Sequence, residues 1–451
     1  MERSAAFDDI SVMSGATLFI KDDLKLDDTK IEVLMGIINL YSLVGSAMAG
    51  QTSDWIGWRW TLIVDAIIFF LGAAGAPVYT AEVAPASCRG YLTSFPEVFI
   101  NLGVLLGYIS NFGFAKLPEH LSWRMMLGVG AVTPVFLALG ALLMPESSRW
   151  LIMQGQLGEA KKVLARTLDS KEEAEVRMAE IKAAAGIPEH CTNDVVEEGV
   201  WRELLLRRTP SVRRILIATV RIHFFQQASG VDVVVLYSPT IFGKAGIKPK
   251  EGKLGAAMAV GFSKTIYILV ATFYLDRVGR RPLLLSSAFG MIVSLLGLAF
   301  GLTMVDRRPH EKLEWAVVIC IITVLTFVGT FSIGLGPLPW VYGPEILPLR
   351  LRAQGMSLAV AANRVTSGVI GMTFLSLSKA ITIGGAFFLF ADIAIVAWIF
   401  FYTFLPETRG KTLEEMESLF VKAKDLNKGG NGNQVQLGTA ANGQANGHEQ
   451  Q

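Results

Sequence analysis

Ten runs of about twenty apolar residues, each closed off by a short charged or turn-forming cluster, leave this chain few ways to fold. They read as Val33 to Gly50, Thr61 to Thr80, Leu92 to Phe114, Met125 to Met144, Ile215 to Ile241, Gly255 to Leu275, Leu283 to Val305, Trp315 to Trp340, Met356 to Leu377 and Gly384 to Leu405. A helix of about twenty residues, rising about 1.5 Å per residue, crosses the roughly 30 Å hydrocarbon layer of a bilayer. Inside that layer every backbone N–H and C=O must be satisfied by the protein, so only helices and closed barrels span it. The alternating pattern of a barrel strand is missing, so the spans are expected to be helices. Composition points the same way: 52% of the 451 residues are hydrophobic and 18% charged, too apolar for an ordinary soluble chain of this length. The expected fold class is an all-α integral membrane protein.

Several other classes fall away. The first eighteen residues hold acids in place of a long apolar core, so no cleavable secretory signal is expected and insertion rests on the spans. Three scattered cysteines, Cys88, Cys191 and Cys320, have no CxxC or Cys/His spacing, so neither a disulfide framework nor a metal site is implied. A net charge of +2 without a basic stripe argues against nucleic acid. No nucleophile with its base, phosphate-cradling glycine loop or cofactor signature marks an enzyme.

The spans fall into two groups. Residues 1–148 form a first membrane half, 149–214 a polar cytoplasmic linker in which "GQLGEAKKVLARTL" reads as an amphipathic helix, and 215–420 a second half. Residues 421–451 are rich in Gly, Asn and Gln and are expected to be a disordered cytoplasmic tail.

The two halves repeat each other. "SDWIGWRW" matches "LDRVGRRP", "PVYTAEVAPASCRG" matches "WVYGPEILPLRLRAQG", and "LMPESSRWL" matches "FLPETRGKTLEE". Repeated bundles are the sequence sign of a secondary transporter with a solute site between its halves. Glu82 to Glu146 is 64 residues and Glu345 to Glu407 is 62, but Asp54 to Glu82 is 28 where Asp276 to Glu345 is 69. The first half is therefore short by 41 residues, about one span and its connection, with the join near Gly72 to Gly75. Ser14 precedes Asp54 by 40 residues and Ser238 precedes Asp276 by 38, which places Ser14 at the end of a first span whose beginning is missing.

A site for an uncharged, hydroxyl-rich solute needs amides and hydroxyls more than charges. Gln226, Gly230, Val233 or Val234, and Tyr237 recur at helical spacing, with Gln227 adjacent, and are expected on one helix face. Buried amides also bond helix to helix, so both roles stay open. Gly336 and Pro337 interrupt an apolar run, as at a cavity or hinge. Trp340, just beyond, suits either the apolar face of a sugar or an interfacial anchor. Proton coupling needs a carboxylate that can be desolvated. Read alone, Asp9 is a solvated N-terminal acid; Glu97, within an apolar run, is either a site residue or paired, while Asp65, Arg221, Lys264 and Asp392 are further charges within apolar runs, Arg221 and Asp65 being expected to stand unpaired. The repeated loops carry Asp54, Arg59, Glu82, Arg89, Glu146 and Arg149 in the first half and Asp276, Arg280, Arg281, Glu345, Arg352, Glu407 and Arg409 in the second. Such residues at helix ends suit charge-assisted contacts, or simply topogenic basic loops.

Taken in order, "FDDISVMSG", "GQTSDWIGWRW", "EVAPASCRG", "PESSRWL", "QQASGVDVVVLYSP", "DRVGRRP", "GPLPWVYGPEILPLRLRAQG" and "PETRGKTLEEME" resemble the sugar porter branch of the major facilitator superfamily, most nearly its plant polyol and monosaccharide transporters. The resemblance implies two six-helix halves with cytoplasmic termini, of which about ten spans are complete here, most of helix 1 and parts of helices 3 and 4 being absent. It implies alternating access to a midplane site and proton-coupled uptake of a neutral polyol or monosaccharide, in the plasma membrane or the tonoplast. It assigns substrate contacts to Gln226, Gln227, Asp232, Tyr237, Trp340, Asn363 and Glu97, where Asp232 stands in place of a common asparagine and Arg364 flanks Asn363. It assigns the proton to Asp9 and a cytoplasmic gate to the loop charges. An uncoupled facilitator, or a truncated, non-transporting or sugar-sensing membrane protein, are the alternatives.

Overall fold

The computed structural model describes residues 2–24, 27–35, 89–130, 146–167, 210–247, 249–308, 313–347 and 351–408, with a few positions between 175 and 181. Among them the chain is helical throughout. The first half contributes α1 (Glu2–Asp23), a short helical segment over 28–35, α2 (Arg89–Phe114) and α3 (Glu119–Gly130). The linker contributes α4 (Ser148–Met153) and α5 (Leu157–Thr167). The second half contributes α6 (Pro210–Ala228), α7 (Val231–Leu236), α8 (Ser238–Ala245), α9 (Lys250–Val278), α10 (Arg280–Arg307), α11 (Glu314–Ile333), α12 (Leu338–Ile346), α13 (Arg352–Ile381) and α14 (Ile383–Phe404).

Among the described residues, five stretches are long and apolar enough to cross a membrane: Lys250–Leu275, Arg280–Arg307, Glu314–Ile346, Gln354–Ile381 and Ile383–Phe404. Their outward faces are apolar. On α9 the exposed side chains include Phe262, Ile266, Leu269, Val270 and Phe273, while Lys264, Thr265 and Thr272 are buried. This pattern, apolar outside and polar inside, suits a lipid solvent and makes the chain a multi-pass membrane protein.

Packing joins the halves. The first helix α1 lies against α2 and α3, and α2 lies against α9 of the second half. Small residues permit the approach: a Cβ added to Gly261 of α9 would sit 2.8 Å from the Tyr108 ring of α2. Within the second half α10 packs on α11 and α14, and α6 on α13. The chain direction of these helices sets two ends of the bundle. One carries Arg280, Glu345, Arg352 and Glu407; the other carries Asp23, Ala245, Arg307 and Ile381.

Two expectations are corrected here. The run from Ile215 to Ile241 is not one helix, because Gly230 takes a left-handed conformation (φ 81°) and ends the first turn sequence. Its Cβ-free face is also required, since a Cβ there would lie 2.9 Å from the Phe390 ring. The second correction is at Ser14, which does not end a span: α1 continues to Asp23 and Ser14 is buried in mid-helix. Its 22 residues give about 33 Å of helix, so Asp9 lies within a helix of spanning length. The Gly72 to Gly75 join and the tail lie outside the described residues.

In the linker, Ser147 caps α4 by accepting the Trp150 N–H, and Leu157 and Val163 of α5 pack on Leu151 and Ile152. The amphipathic reading of "GQLGEAKKVLARTL" is the helix α5.

Candidate functional site

Two helices are interrupted where proline removes a backbone donor. Pro339 has no N–H to give the carbonyl four residues back, which is that of Leu335. The Trp340 N–H bonds the Pro337 carbonyl at 3.2 Å instead of that of Gly336. Two buried carbonyls are thereby left without helical donors. Gln226, at the end of α6, supplies the donor: its Nε2 reaches Leu335 O at 2.9 Å and Gly336 O at 2.8 Å. The second break repeats the arrangement. Pro239 frees the Val235 carbonyl, and Tyr108 of the first half donates its hydroxyl there at 2.8 Å, with Ser238 Oγ donating at 3.2 Å.

Around Gln226 the amides form a network. Asn363 of α13 donates Nδ2 to Gln226 Oε1 at 2.9 Å and to His223 O at 3.1 Å. Gln227 lies between Asn363 and Asp232. Its amide nitrogen meets Asn363 Oδ1 at 3.3 Å in one orientation and, turned over, donates to the two Asp232 oxygens at 2.9 and 3.3 Å. Facing a carboxylate, the turned amide is the better satisfied. Ser367 Oγ donates to the same carboxylate. Arg364 and Lys264, both buried, act on Asp232 electrostatically from α13 and α9. Opposite charges buried within reach of one another's fields make each more tolerable away from water.

Trp340 is also buried, its indole meeting the His223 ring edge-on with centroids 4.8 Å apart. Tyr237 donates its hydroxyl to Gly371 O at 2.7 Å and lies 5.0 Å from the Phe374 ring. The expected single uninterrupted helix face carrying Gln226 and Tyr237 is corrected: the left-handed Gly230 lies between them, and both reach α13, Gln226 through Asn363 and Tyr237 through Gly371. The structure brings Gln226, Gln227, Asp232, Asn363 and Trp340 together, and adds His223, Ser367, Lys264 and Arg364. Ser367 is not singled out by the sequence and His223 reads there as an ordinary residue, because a lone serine or histidine in an apolar run carries no pattern of its own.

Asp9 lies in α1 and Glu97 in α2, but their side chains are outside the described set, as are those of Arg89, Arg149 and Asp276. Asp54, Arg59, Glu82 and Arg409 lie outside the described residues altogether, as does Asp65. Arg221 is exposed on α6 with its guanidinium 5.6 Å from the Phe400 ring, so its expected unpaired state is replaced by a cation–π contact. Asp392 is on an exposed face of α14.

At the charged end of the second half, Arg280 Nη2 donates to Glu345 Oε1 at 3.1 Å, and Thr408 Oγ1 donates to Glu345 Oε2 at 3.0 Å. Glu407 accepts the Arg280 and Arg281 backbone N–H groups at 3.0 Å each, capping α10 where the helix dipole favours a negative charge. Arg281 donates to Tyr402 O at 2.6 Å and Arg352 to Leu347 O at 3.3 Å. The repeat survives in detail: Ser147 N–H donates to Glu146 Oε1 and Thr408 N–H to Glu407 Oε1, both at 3.0 Å.

Comparison with known proteins gives a consistent result. The family profile described as "Sugar (and other) transporter" matches residues 73–420, beginning inside the Gly72 to Gly75 stretch. Putative polyol transporter 2 of Arabidopsis thaliana is 58% identical over 447 residues, covering 91% of this chain and 88% of that protein. Putative polyol transporter 1 of the same plant is 59% identical, with the same coverage. Both alignments span 447 positions while using 91% of a 451-residue chain, so several tens of positions lack a counterpart here. In fold, the chain is similar to the major facilitator superfamily proton:xylose symporter XylE bound to 6-bromo-6-deoxy-D-glucose. The TM-score is 0.78 at 23% identity, over 93% of this chain and 97% of that one.

Proposed function

Starting from a chain that belongs to the sugar transporter family, within the major facilitator fold, we propose that it is a secondary active transporter of a neutral polyol or monosaccharide, coupled to protons. The observation that carries this reading is the cluster of Gln227, Asn363, Asp232 and Ser367, tied through Gln226 to the proline-made break at Leu335 and Gly336. Amides that donate and accept, next to a carboxylate that only accepts, suit a ligand with many hydroxyls. Helix breaks within apolar runs belong where backbone lines a cavity between moving halves. Trp340 supplies an apolar surface for the C–H face of the solute, and Tyr237 and Glu97 are further proposed contacts.

Asp9 is the proposed proton carrier, placed within α1. Asp54, Arg59, Glu82, Arg89, Glu146 and Arg149, with Asp276, Arg280, Arg281, Glu345, Arg352, Glu407 and Arg409, are the proposed cytoplasmic gate. The buried Arg280–Glu345 pair and the Glu407 cap support that assignment in the second half. The proposed setting is the plasma membrane, with the tonoplast as the other candidate.

The second reading is a non-transporting chain that still binds sugar, and the 41-residue shortfall in the first half favours it. Proteoliposomes of the purified chain, given labelled sorbitol or xylose with and without an inward proton gradient, separate these readings. Uptake accelerated by the gradient is expected; uptake indifferent to it makes the chain a facilitator, and binding without uptake makes it a non-transporting protein.

A further inference from the structure

At the end of the bundle opposite Arg280, Glu345 and Glu407, the two halves meet through polar contacts that the site does not use. Glu32, in the helical segment 28–35 of the first half, is 3% exposed. Its Oε1 accepts the Ser376 backbone N–H and its Oε2 the Ser376 hydroxyl, both at 2.7 Å. One turn earlier on the same face, Asp28 pairs with Lys379 of α13 at 2.6 Å. Asp28 is itself held from α1, through Lys21 at 2.6 Å. Three elements of two different halves thus converge on one rung pair: a buried rung, Glu32 with Ser376, and an outer rung, Asp28 with Lys379.

The position relates this contact to the candidate site. Tyr237 bonds the Gly371 carbonyl of α13 and packs on Phe374. Ser376 lies five residues beyond Gly371, about 7 Å further along α13. Glu32 is close enough for its charge to act on the Tyr237 hydroxyl. Ile31 and Met35, flanking Glu32, are buried in the main core, so the segment is seated on the bundle rather than resting on its rim.

We propose that Glu32–Ser376 and Asp28–Lys379 form the latch that closes the outer mouth of the site, Glu32 being its positioning residue. The proposal rests on the reading that the halves alternate about a central site, because a latch between halves has a function only if they part. Burying a carboxylate is costly unless donors meet it, and here both oxygens are met by one residue of the opposite half. Separation of the halves at this end leaves Glu32 to find water, which an open mouth supplies. The contact is therefore stable closed and replaceable open, as a gate requires.

The latch makes a distinction between hydrogen bonding and charge. In Glu32→Gln the amide oxygen still accepts the Ser376 N–H and the amide nitrogen donates to the Ser376 hydroxyl, which accepts as readily as it donates. Glu32→Ala loses both bonds.

The test is hydrogen–deuterium exchange of the full chain in lipid nanodiscs, without substrate, following peptides over 28–35 and 371–381. Glu32→Ala is expected to raise exchange in both segments by roughly tenfold, with Glu32→Gln close to the native chain and peptides of α10 and α11 unchanged. Exchange in Glu32→Ala equal to that of the native chain, or Glu32→Gln as fast as Glu32→Ala, overturns the proposal. If Glu32→Ala does not fold, Ser376→Ala carries the same test: faster exchange in both segments supports the latch, and unchanged exchange overturns it. Because exchange needs no transport, a chain that moves no solute leaves this result standing, and a failed latch leaves the transport reading standing.

Discussion

The side chain of Gln226 is bonded to the Leu335 carbonyl at 2.9 Å, the carbonyl that Pro339 leaves without its helical donor. A residue expected to face substrate thus spends its amide donor on holding two broken helices together. Its acceptor is spent as well, on Asn363.

Removal of that amide has a calculable consequence. Gln226→Ala leaves two buried carbonyls unsatisfied, at about 1–3 kcal/mol each. Adding Pro339→Ala restores an N–H for Leu335 O, so the double variant is expected to be more stable than Gln226→Ala alone. Thermal denaturation in a mild detergent measures both, and strict additivity of the two substitutions would contradict this account.

The cap on α10 leads to a second expectation. Both oxygens of Glu407 are taken by the Arg280 and Arg281 N–H groups at 3.0 Å. Glu407→Ala is expected to cost about 1–2 kcal/mol, in the upper range for a lost N-terminal cap. Glu407→Gln keeps one acceptor and is expected to lose about half of that. The same denaturation assay reads the order; a Gln variant less stable than the Ala variant would show that the cap is not the source of the effect.

How far the sequence discloses this architecture differs from feature to feature. The spans of the second half are legible because their apolar runs and their turn-forming boundaries coincide, as at Gly279 between α9 and α10. The Gly336–Pro337 break is legible because proline removes a donor wherever it stands. The break at Gly230 is not, because glycine is common within membrane helices and neither its left-handed φ nor the Phe390 ring that leaves no room for a Cβ there is written in the local sequence. The amide cluster is partly legible: Gln226 and Gln227 stand out in an apolar run, whereas Ser367 acquires meaning only when α13 brings it to Asp232. Glu32 is illegible for the same reason, since its partner lies 344 residues away.

The Arg280–Glu345 pair is buried on both sides, with side chains 8% and 7% exposed. A single truncation leaves an uncompensated charge, at roughly 3–5 kcal/mol, whereas replacing both partners with apolar residues of similar size costs far less. Arg280→Met with Glu345→Leu is therefore expected to be more stable than either single variant. The double variant is also expected to lose gating, read as solute efflux and influx through proteoliposomes becoming unequal to those of the native chain. A double variant as unstable as the sum of the singles would argue that the two charges do not compensate one another.

The outer rung of the latch is expected to be insensitive to pH in the physiological range. Hydrogen bonds from Lys21 and then Lys379 hold the Asp28 carboxyl down at about 2, from its ordinary 3.8, against a smaller opposing effect of burial. A carboxyl lowered on folding contributes stability above its unfolded value and loses it only as pH falls toward the folded one, here between 3.8 and about 2. The side chain is 34% exposed, so solvent screening limits the pair to about 1 kcal/mol or less. The stability difference between the native chain and Asp28→Asn should therefore be constant from about pH 5 to 8. It should shrink in about 1 M salt, where the Debye length falls to roughly 3 Å. Denaturation curves of both chains across that grid measure it, and a difference that changes between about pH 5 and 8 would place the titrating group elsewhere.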